Sequence, residues 1–176
     1  GQESHFLYVT GPEGMYDVPT GKTLLVENAA DMCRRYAKLY DLKVKILRTP
    51  YLYSGIYHRD FFYRIFEAAK EDQKLFFQEA PEQKAYFLYP MDLAELIYRL
   101  YDNWNAEEEV LDVPDVFNVS FHDITEELKK ILSPVSIVYK SSATIEKIKE
   151  DDKQIRINYN WFPKISVLGH ISEMYE

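Results

Sequence analysis

Apolar residues recur at steps of three and four positions along residues 23–40, the longest such pattern in the chain. Leu25, Ala29, Met32 and Tyr36 follow that spacing, so they would form one stripe along a helix. The pattern predicts an amphipathic helix from Thr23 to Tyr40. Its apolar stripe needs another surface to cover it.

Short apolar runs on either side of this helix predict two strands of a parallel sheet. The first, His5–Thr10, ends before Gly11 and Pro12, and the second, Lys43–Arg48, ends before Pro50. In an open α/β sheet, ligands bind where the strands end at their carboxyl edge. Within the stretch Asp41–Gly55 we therefore expect three residues to line a ligand crevice, namely Pro50, Tyr51 and Tyr53.

The remaining chain alternates short helical and extended patterns. We expect helices at 59–70, 92–100, 123–132 and 143–150, strands at 75–77, 86–89, 116–119 and 137–139, an acidic solvated loop at 105–112, an alternating segment at 155–161 and a helical piece after Pro163. With 176 residues, this order predicts a single α/β domain, residues 1–176, with a sizeable core.

The net charge and the cysteine content limit which binding partners and which cellular compartment we expect. The formal net charge is −8 and no block of Lys and Arg is present, so nucleic acid is not an expected partner. No apolar run approaches the ~18 residues of a membrane span. The single cysteine, Cys33, cannot form an internal disulfide, which predicts a reducing, cytoplasmic setting.

Most familiar catalytic motifs are absent from the sequence. The segment Pro19–Thr23 (PTGKT) is similar to a phosphate-binding loop, but Tyr16 stands where that loop needs glycine and Pro19 has no amide donor. We interpret it as a plain helix entry. The histidines lack metal-ligand spacing, so no metal site is predicted. The four are His5, His58, His122 and His170.

Five strings, taken in order, are similar to segments of one enzyme family. They are HFLYVTG, ENAADMCRRYAKLYDLKVKILRTPYLYSG, PEQKAYFLYPMDLAELIYRL, VFNVSFHDITEELKKIL and WFPK. Together they resemble the C-terminal half of the extended short-chain dehydrogenases/reductases, the NAD-dependent epimerase/dehydratase group. The resemblance covers nearly the whole chain.

The resemblance implies a partial Rossmann-like parallel sheet with helices, followed by the small C-terminal α/β substrate-binding region. It implies an oxidoreductase that uses NAD or NADP in a full-length parent. The glycine-rich dinucleotide fingerprint is absent from these 176 residues, so we expect this later half alone to bind no cofactor. It also implies a homodimer formed through the Thr23–Tyr40 helix.

The family's catalytic residues are only partly matched. Thr10 corresponds to the catalytic Ser/Thr. In the family a tyrosine and a lysine four residues apart carry the proton chemistry, but an ungapped register places Lys22 and Val26 there. A shifted register places Val18 opposite Lys22, and a shorter loop would let Tyr16 and Lys22 meet in space. Thr10, Tyr16 and Lys22 are the catalytic candidates of a degenerate site.

The substrate side departs from the family as well. The arginine that grips a nucleotide-sugar diphosphate falls at Ala85, beside Lys84, and the substrate-binding asparagine falls at Tyr51. Lys84 joins Pro50, Tyr51 and Tyr53 as a candidate cofactor- or substrate-binding residue. Lys does not replace Arg in bidentate phosphate binding, so a nucleotide-sugar substrate is not expected. The joint loss of the Tyr/Lys dyad, the arginine and the asparagine leaves open, as the alternative, a non-catalytic relative that binds a small molecule or a protein. Without neighbouring strands, one edge of the sheet is expected to be bare.

Overall fold

The computed structural model of the protein describes residues 4–12, 21–58, 60–71, 74–104, 109–132, 134–140 and 153–175. The chain divides into two compact units, each built from three stretches. Unit 1 contains Gly1–Tyr51, Glu95–Pro114 and Lys147–Phe162, and unit 2 contains Leu52–Ala94, Asp115–Glu146 and Pro163–Glu176. No helix within the described ranges has the length and apolar character that crossing a membrane requires.

Within those ranges the chain forms seven strands and six helices. In order they are β1 (His5–Thr10), α1 (Gly21–Tyr40), β2 (Lys43–Arg48), β3 (Tyr51–Leu52), α2 (Phe61–Glu71), β4 (Lys74–Phe77), β5 (Phe87–Leu88), α3 (Pro90–Asp102), β6 (Val110–Asp112), α4 (Phe121–Ile131), β7 (Ser136–Tyr139), α5 (Lys153–Tyr159) and α6 (Val167–Tyr175).

A parallel sheet in the order β1-β2-β6 forms the centre of unit 1, which confirms the predicted α/β class. Ile46 and Leu47 of the middle strand are 1% and 0% exposed. The third strand, β6, was wrongly assigned to an acidic loop. It is only three residues long, too short to show alternation, yet its central Leu111 is fully buried.

Helix α1 crosses from β1 to β2 and confirms the predicted helix. Its sheet-facing side is made of small residues, with Thr23 and Ala30 buried. The predicted apolar stripe instead faces outward within unit 1, where Leu25 is 70% and Met32 59% exposed. On one flank of the helix, Arg34 forms an ion pair with Glu109, the residue just before β6.

Two further sequence predictions are wrong. Residues 116–119 form no strand: Asn118 takes a positive φ of 51°, and the Asp115 carboxylate accepts hydrogen bonds from the amides of Phe117 and Asn118, so the chain turns. The alternating segment 155–161 is helical up to Tyr159, because Ile155 and Tyr159, one helical turn apart, are both buried, and Trp161, also buried, follows the helix. The helix predicted at 143–150 lies outside the described residues.

Unit 2 is organised around aromatic residues rather than a wide sheet. Its parallel pair β4–β7 places Phe77 opposite Tyr139, and Phe121 at the start of α4 packs against both the sheet and Phe61. A capping box formed by Ser120 and Asp123 fixes the beginning of α4. The buried core combines residues of α2, β4, α4 and α6.

Candidate functional site

The carboxyl ends of β1, β2 and β6 meet at one edge of the sheet in unit 1. Arg48 ends β2, and its guanidinium makes two parallel hydrogen bonds to Asp112 at the end of β6, with Nη2 to Oδ2 at 2.7 Å. The two side chains are 23% and 10% exposed. This bidentate pair links the ends of β2 and β6, and a protein carboxylate is thus already bound to the guanidinium.

Thr10 ends β1 at the same edge and is 9% exposed. Its carbonyl oxygen accepts two hydrogen bonds from Thr49, one from the amide at 2.9 Å and one from the hydroxyl at 3.1 Å. The following Pro50 is buried and Tyr51 is 43% exposed. The structure therefore brings Thr10 close to the chain segment that enters Pro50.

Of the other two catalytic candidates, Lys22 is the one that the described residues include. Lys22 lies exposed in the first turn of α1, and Tyr16 lies outside the described residues. The meeting of Tyr16 and Lys22 in space stays a prediction. The same ranges contain no group of three or more His, Cys, Asp and Glu residues placed to hold a metal ion.

Tyr53 lies in the interior of unit 2. Its ring is fully buried and contacts the rings of Phe62, Tyr89 and His170 at centroid distances of 5.8, 5.7 and 6.0 Å. Burial raises the pKa of the Tyr53 hydroxyl above its ordinary value, and the nearby Asp92 and Tyr89 raise it further. A raised pKa favours the protonated phenol, so this setting disfavours a role for Tyr53 as a base.

Two buried polar atoms near this ring have no hydrogen-bond partner among the described residues. They are the Tyr53 hydroxyl oxygen and Nδ1 of His170. The other imidazole nitrogen of His170, Nε2, lies 3.1 Å from Glu173. Sequence reasoning gave His170 no role, and an isolated histidine near the end of the chain offered no signal that could have found one.

Lys84 is held by a carboxylate in unit 2. Its ammonium lies 3.2 Å from Oδ2 of Asp115, and the two side chains are 22% and 11% exposed. A backbone bridge to Ser120 fixes the position of Lys84 in the chain. Lys84, predicted as a ligand-binding residue, therefore carries a positive charge that Asp115 already balances.

Asp92 joins the start of α3 to the segment before α6. Its buried carboxylate, 3% exposed, accepts hydrogen bonds from the amides of Lys164 and Ile165, each at 3.0 Å. The sequence showed Asp92 as a helix-start residue but gave no sign of these distant partners. We interpret this contact as a support that holds the start of α3 against the segment 163–165 within unit 2.

Solved structures share this fold over nearly the whole chain. The dTDP-glucose 4,6-dehydratase from Streptomyces venezuelae, solved with NAD and TYD bound, superposes with a TM-score of 0.78 at 14% identity, covering 97% of this chain and 58% of its own. The UDP-glucuronic acid 4-epimerase from Bacillus cereus, in complex with UDP-glucuronic acid and NAD, gives 0.76 at 18% identity, covering 97% and 60%. The apo GalE-like L-threonine dehydrogenase from Cupriavidus necator gives 0.76 at 14% identity, covering 97% and 71%.

The chain therefore has the Rossmann-like fold of the extended short-chain dehydrogenases/reductases of the epimerase/dehydratase type, as the sequence resemblance implies. No protein-family model matches the sequence, and no curated protein does. The chain spans 65%, 64% and 60% of three further solved structures of this fold, which is less than two thirds of each.

Proposed function

We propose that this chain is the substrate-side region of an NAD(P)-dependent epimerase/dehydratase-like oxidoreductase whose usual Tyr/Lys proton chemistry is altered. The observation that carries the proposal is the superposition of 97% of the chain on an epimerase and a dehydratase whose structures contain NAD. The dinucleotide fingerprint would belong to a part of the polypeptide outside these 176 residues. The single cysteine fits a cytoplasmic protein.

The paired state of the two basic residues supports a substrate other than a nucleotide diphosphate. Arg48 is bound by Asp112 and Lys84 by Asp115. A diphosphate would have to displace one of these carboxylates, and separating a half-buried ion pair leaves an uncompensated charge that costs several kcal/mol. A small, less charged ligand at the strand ends would meet no such cost.

Dinucleotide binding by the product of the complete reading frame tests the proposal. We expect titration with NADH and NADPH to show saturable binding of one of them, through enhanced nicotinamide fluorescence. The 176-residue chain alone is the control and is expected to show none, because it has no glycine-rich turn for the pyrophosphate. Absence of binding by the complete product would overturn the oxidoreductase proposal.

The non-catalytic alternative is favoured by the lack of a Tyr-x-x-x-Lys pair in the sequence. A turnover assay, rather than a binding assay, distinguishes this alternative from the first proposal. Loss of turnover in Lys22→Ala or Tyr16→Phe would rule out the non-catalytic relative. Cofactor binding without turnover on any nucleotide-sugar or hydroxy-acid substrate would support it.

We also propose a homodimer formed through the outward face of α1. Leu24, Leu25 and Leu39 are 60%, 70% and 74% exposed, a larger apolar surface than a helix normally leaves to water. We expect static light scattering at micromolar concentration to give twice the mass of the chain. Leu39→Glu should shift the mass to that of a monomer, whereas Ile157→Glu, a change on another exposed helix of unit 1, should not. A monomer at every concentration would contradict the proposal.

A further inference from the structure

Three segments of unit 2 bring polar side chains together in its interior. Tyr53 follows β3, Asp92 lies in the first turn of α3, and His170 lies in α6. The rings of Tyr53 and His170 are in edge-on contact at a centroid distance of 6.0 Å. Burial raises the pKa of the Tyr53 hydroxyl, and the charge of Asp92 raises it further, which places this carboxylate near the hydroxyl. We call these three side chains the Tyr53 cluster.

The Tyr53 hydroxyl is the most enclosed member of the Tyr53 cluster. The residue is 0% exposed, and its hydroxyl oxygen has no hydrogen-bond partner among the described residues. A hydroxyl has one proton to donate and two lone pairs that accept. Burying such a group without a partner costs free energy, so protein interiors satisfy nearly all of them with protein groups or with bound water.

His170 adds an acceptor to the Tyr53 cluster. Its Nδ1 is buried and also has no hydrogen-bond partner within the described ranges, while its Nε2 lies 3.1 Å from Oε2 of Glu173. In the neutral imidazole one nitrogen carries the proton and the other is an acceptor. The carboxylate beside Nε2 holds the proton on that nitrogen. Nδ1 is therefore an acceptor that needs a donor.

Asp92 supplies a second acceptor. The amides of Lys164 and Ile165 both bind Oδ2 of Asp92, whereas Oδ1 accepts no hydrogen bond from the residues that the structure describes. A carboxylate has lone pairs for about four hydrogen bonds. Since Asp92 is 3% exposed, bulk solvent is a poor source of a donor for Oδ1.

The three atoms of the Tyr53 cluster together require a ligand with two protons and one lone pair. The single proton of the Tyr53 hydroxyl can satisfy Nδ1 of His170 or Oδ1 of Asp92, but not both. A water molecule among them would donate one proton to each acceptor and accept the proton of the hydroxyl. It would make about three hydrogen bonds, as buried water molecules typically do.

Other small ligands fit this pattern less well. An ammonium ion has no lone pair for the proton of the Tyr53 hydroxyl. The described residues include no group of three or more His, Cys, Asp and Glu side chains that could hold a metal ion. Water therefore matches both the number of protons and the number of lone pairs that the Tyr53 cluster requires.

We propose that one water molecule is bound inside unit 2, where it accepts a hydrogen bond from the Tyr53 hydroxyl and donates to Nδ1 of His170 and Oδ1 of Asp92. The water would join the chain after β3 to the start of α3 and to α6. Asp92 already holds the segment before α6 through its direct bonds to two amides. The water would add a link from the same carboxylate to α6 itself.

A crystal structure of the protein, at a resolution that shows ordered water, tests the proposal together with NMR spectroscopy. We expect a density peak about 2.7 to 3.2 Å from each of the three atoms, and nuclear Overhauser effects from water to the ring protons of Tyr53 and His170. The ¹⁵N spectrum should show Nδ1 of His170 without a proton at neutral pH.

Three results would overturn the bound water. The first is a direct hydrogen bond between the Tyr53 hydroxyl and either acceptor, with no peak between them. The second is a peak whose contacts are shorter than hydrogen bonds, which would be a cation. The third is a His170 ring that carries its proton on Nδ1 instead of Nε2. These measurements use the unchanged protein, so they decide the proposal even if a variant fails to fold.

A matched pair of variants tests the part of the Tyr53 hydroxyl. Tyr53→Phe keeps the ring and removes the hydroxyl, so we expect loss of the peak and of the nuclear Overhauser effect at His170. Tyr139→Phe also removes a tyrosine hydroxyl from unit 2, but one that lies 2.6 Å from Oγ1 of Thr125, and it should leave both signals unchanged. A peak that persists in Tyr53→Phe would overturn the role of this hydroxyl in holding the water.

Discussion

Replacing Asp92 by alanine is expected to lower the free energy of unfolding of the protein by about 3 to 4 kcal/mol. The carboxylate is buried and accepts hydrogen bonds from two backbone amides, those of Lys164 and Ile165. Hydrogen bonds to a charged group contribute about 1.5 to 3 kcal/mol each, and their loss leaves two amides without an acceptor. Urea titration followed by circular dichroism measures the change.

Two controls make the Asp92 result specific. Asp92→Asn keeps one oxygen acceptor at the same position, so we expect it to lose about half as much stability as the alanine variant. Asp123→Ala removes the carboxylate of the exposed capping box of α4 and is expected to cost about 1 kcal/mol. An Asp92→Ala loss no larger than that of Asp123→Ala would show that the segment 163–165 does not depend on this contact.

Replacing Gly55 by alanine is expected to destabilise the protein by about 2 to 4 kcal/mol. Gly55 has a φ of +71°, a backbone conformation that costs a residue with a Cβ atom about 1 to 2 kcal/mol. An added Cβ would also lie 2.8 Å from Cβ of Met174 in α6, which forces that helix to shift. Thermal unfolding of the variant, compared with the parent, gives the size of the effect.

The same substitution at Gly169 provides the control for Gly55. Gly169 lies inside α6, and a Cβ placed there meets no heavy atom within 4 Å. Alanine is favoured over glycine inside a helix by about 1 kcal/mol, so Gly169→Ala should leave stability unchanged or raise it. If the two variants unfold at the same temperature, neither the positive φ nor the contact with Met174 constrains the turn.

The sequence correctly predicted the elements whose hydrophobic pattern and end signals lie within or beside their own residues. α1 repeats its apolar spacing over five turns, and the two strands that flank it end before Gly11 and Pro50, so the predicted bounds of the strands agree with the structure. Strand β6 has only three residues, and its identity depends on pairing with β2 from a distant part of the chain. Local pattern could not reveal that pairing.

The candidate site was less predictable, because whether its basic side chains are available to a ligand depends on ion-pair partners elsewhere in the chain. Lys84 was predicted as a ligand-binding cation, but its ion pair with Asp115 depends on a turn that the sequence presented as a strand. The Arg48–Asp112 pair requires two strands to be adjacent in space. A run of Val110, Leu111 and Asp112 next to Pro114 was the available signal for the end of that second strand.

The hydrogen bonds of Asp92 also set an order of assembly during synthesis. Lys164 follows Asp92 by 72 positions, whereas the partner of Asp123 is Ser120, only three positions away. As the chain leaves the ribosome amino end first, α4 can acquire its cap as soon as it emerges. The carboxylate of Asp92 acquires its two donors only after Lys164 and Ile165 have been made. In a nascent chain halted before residue 164, the Asp92 carboxylate in α3 would lack both of its amide donors.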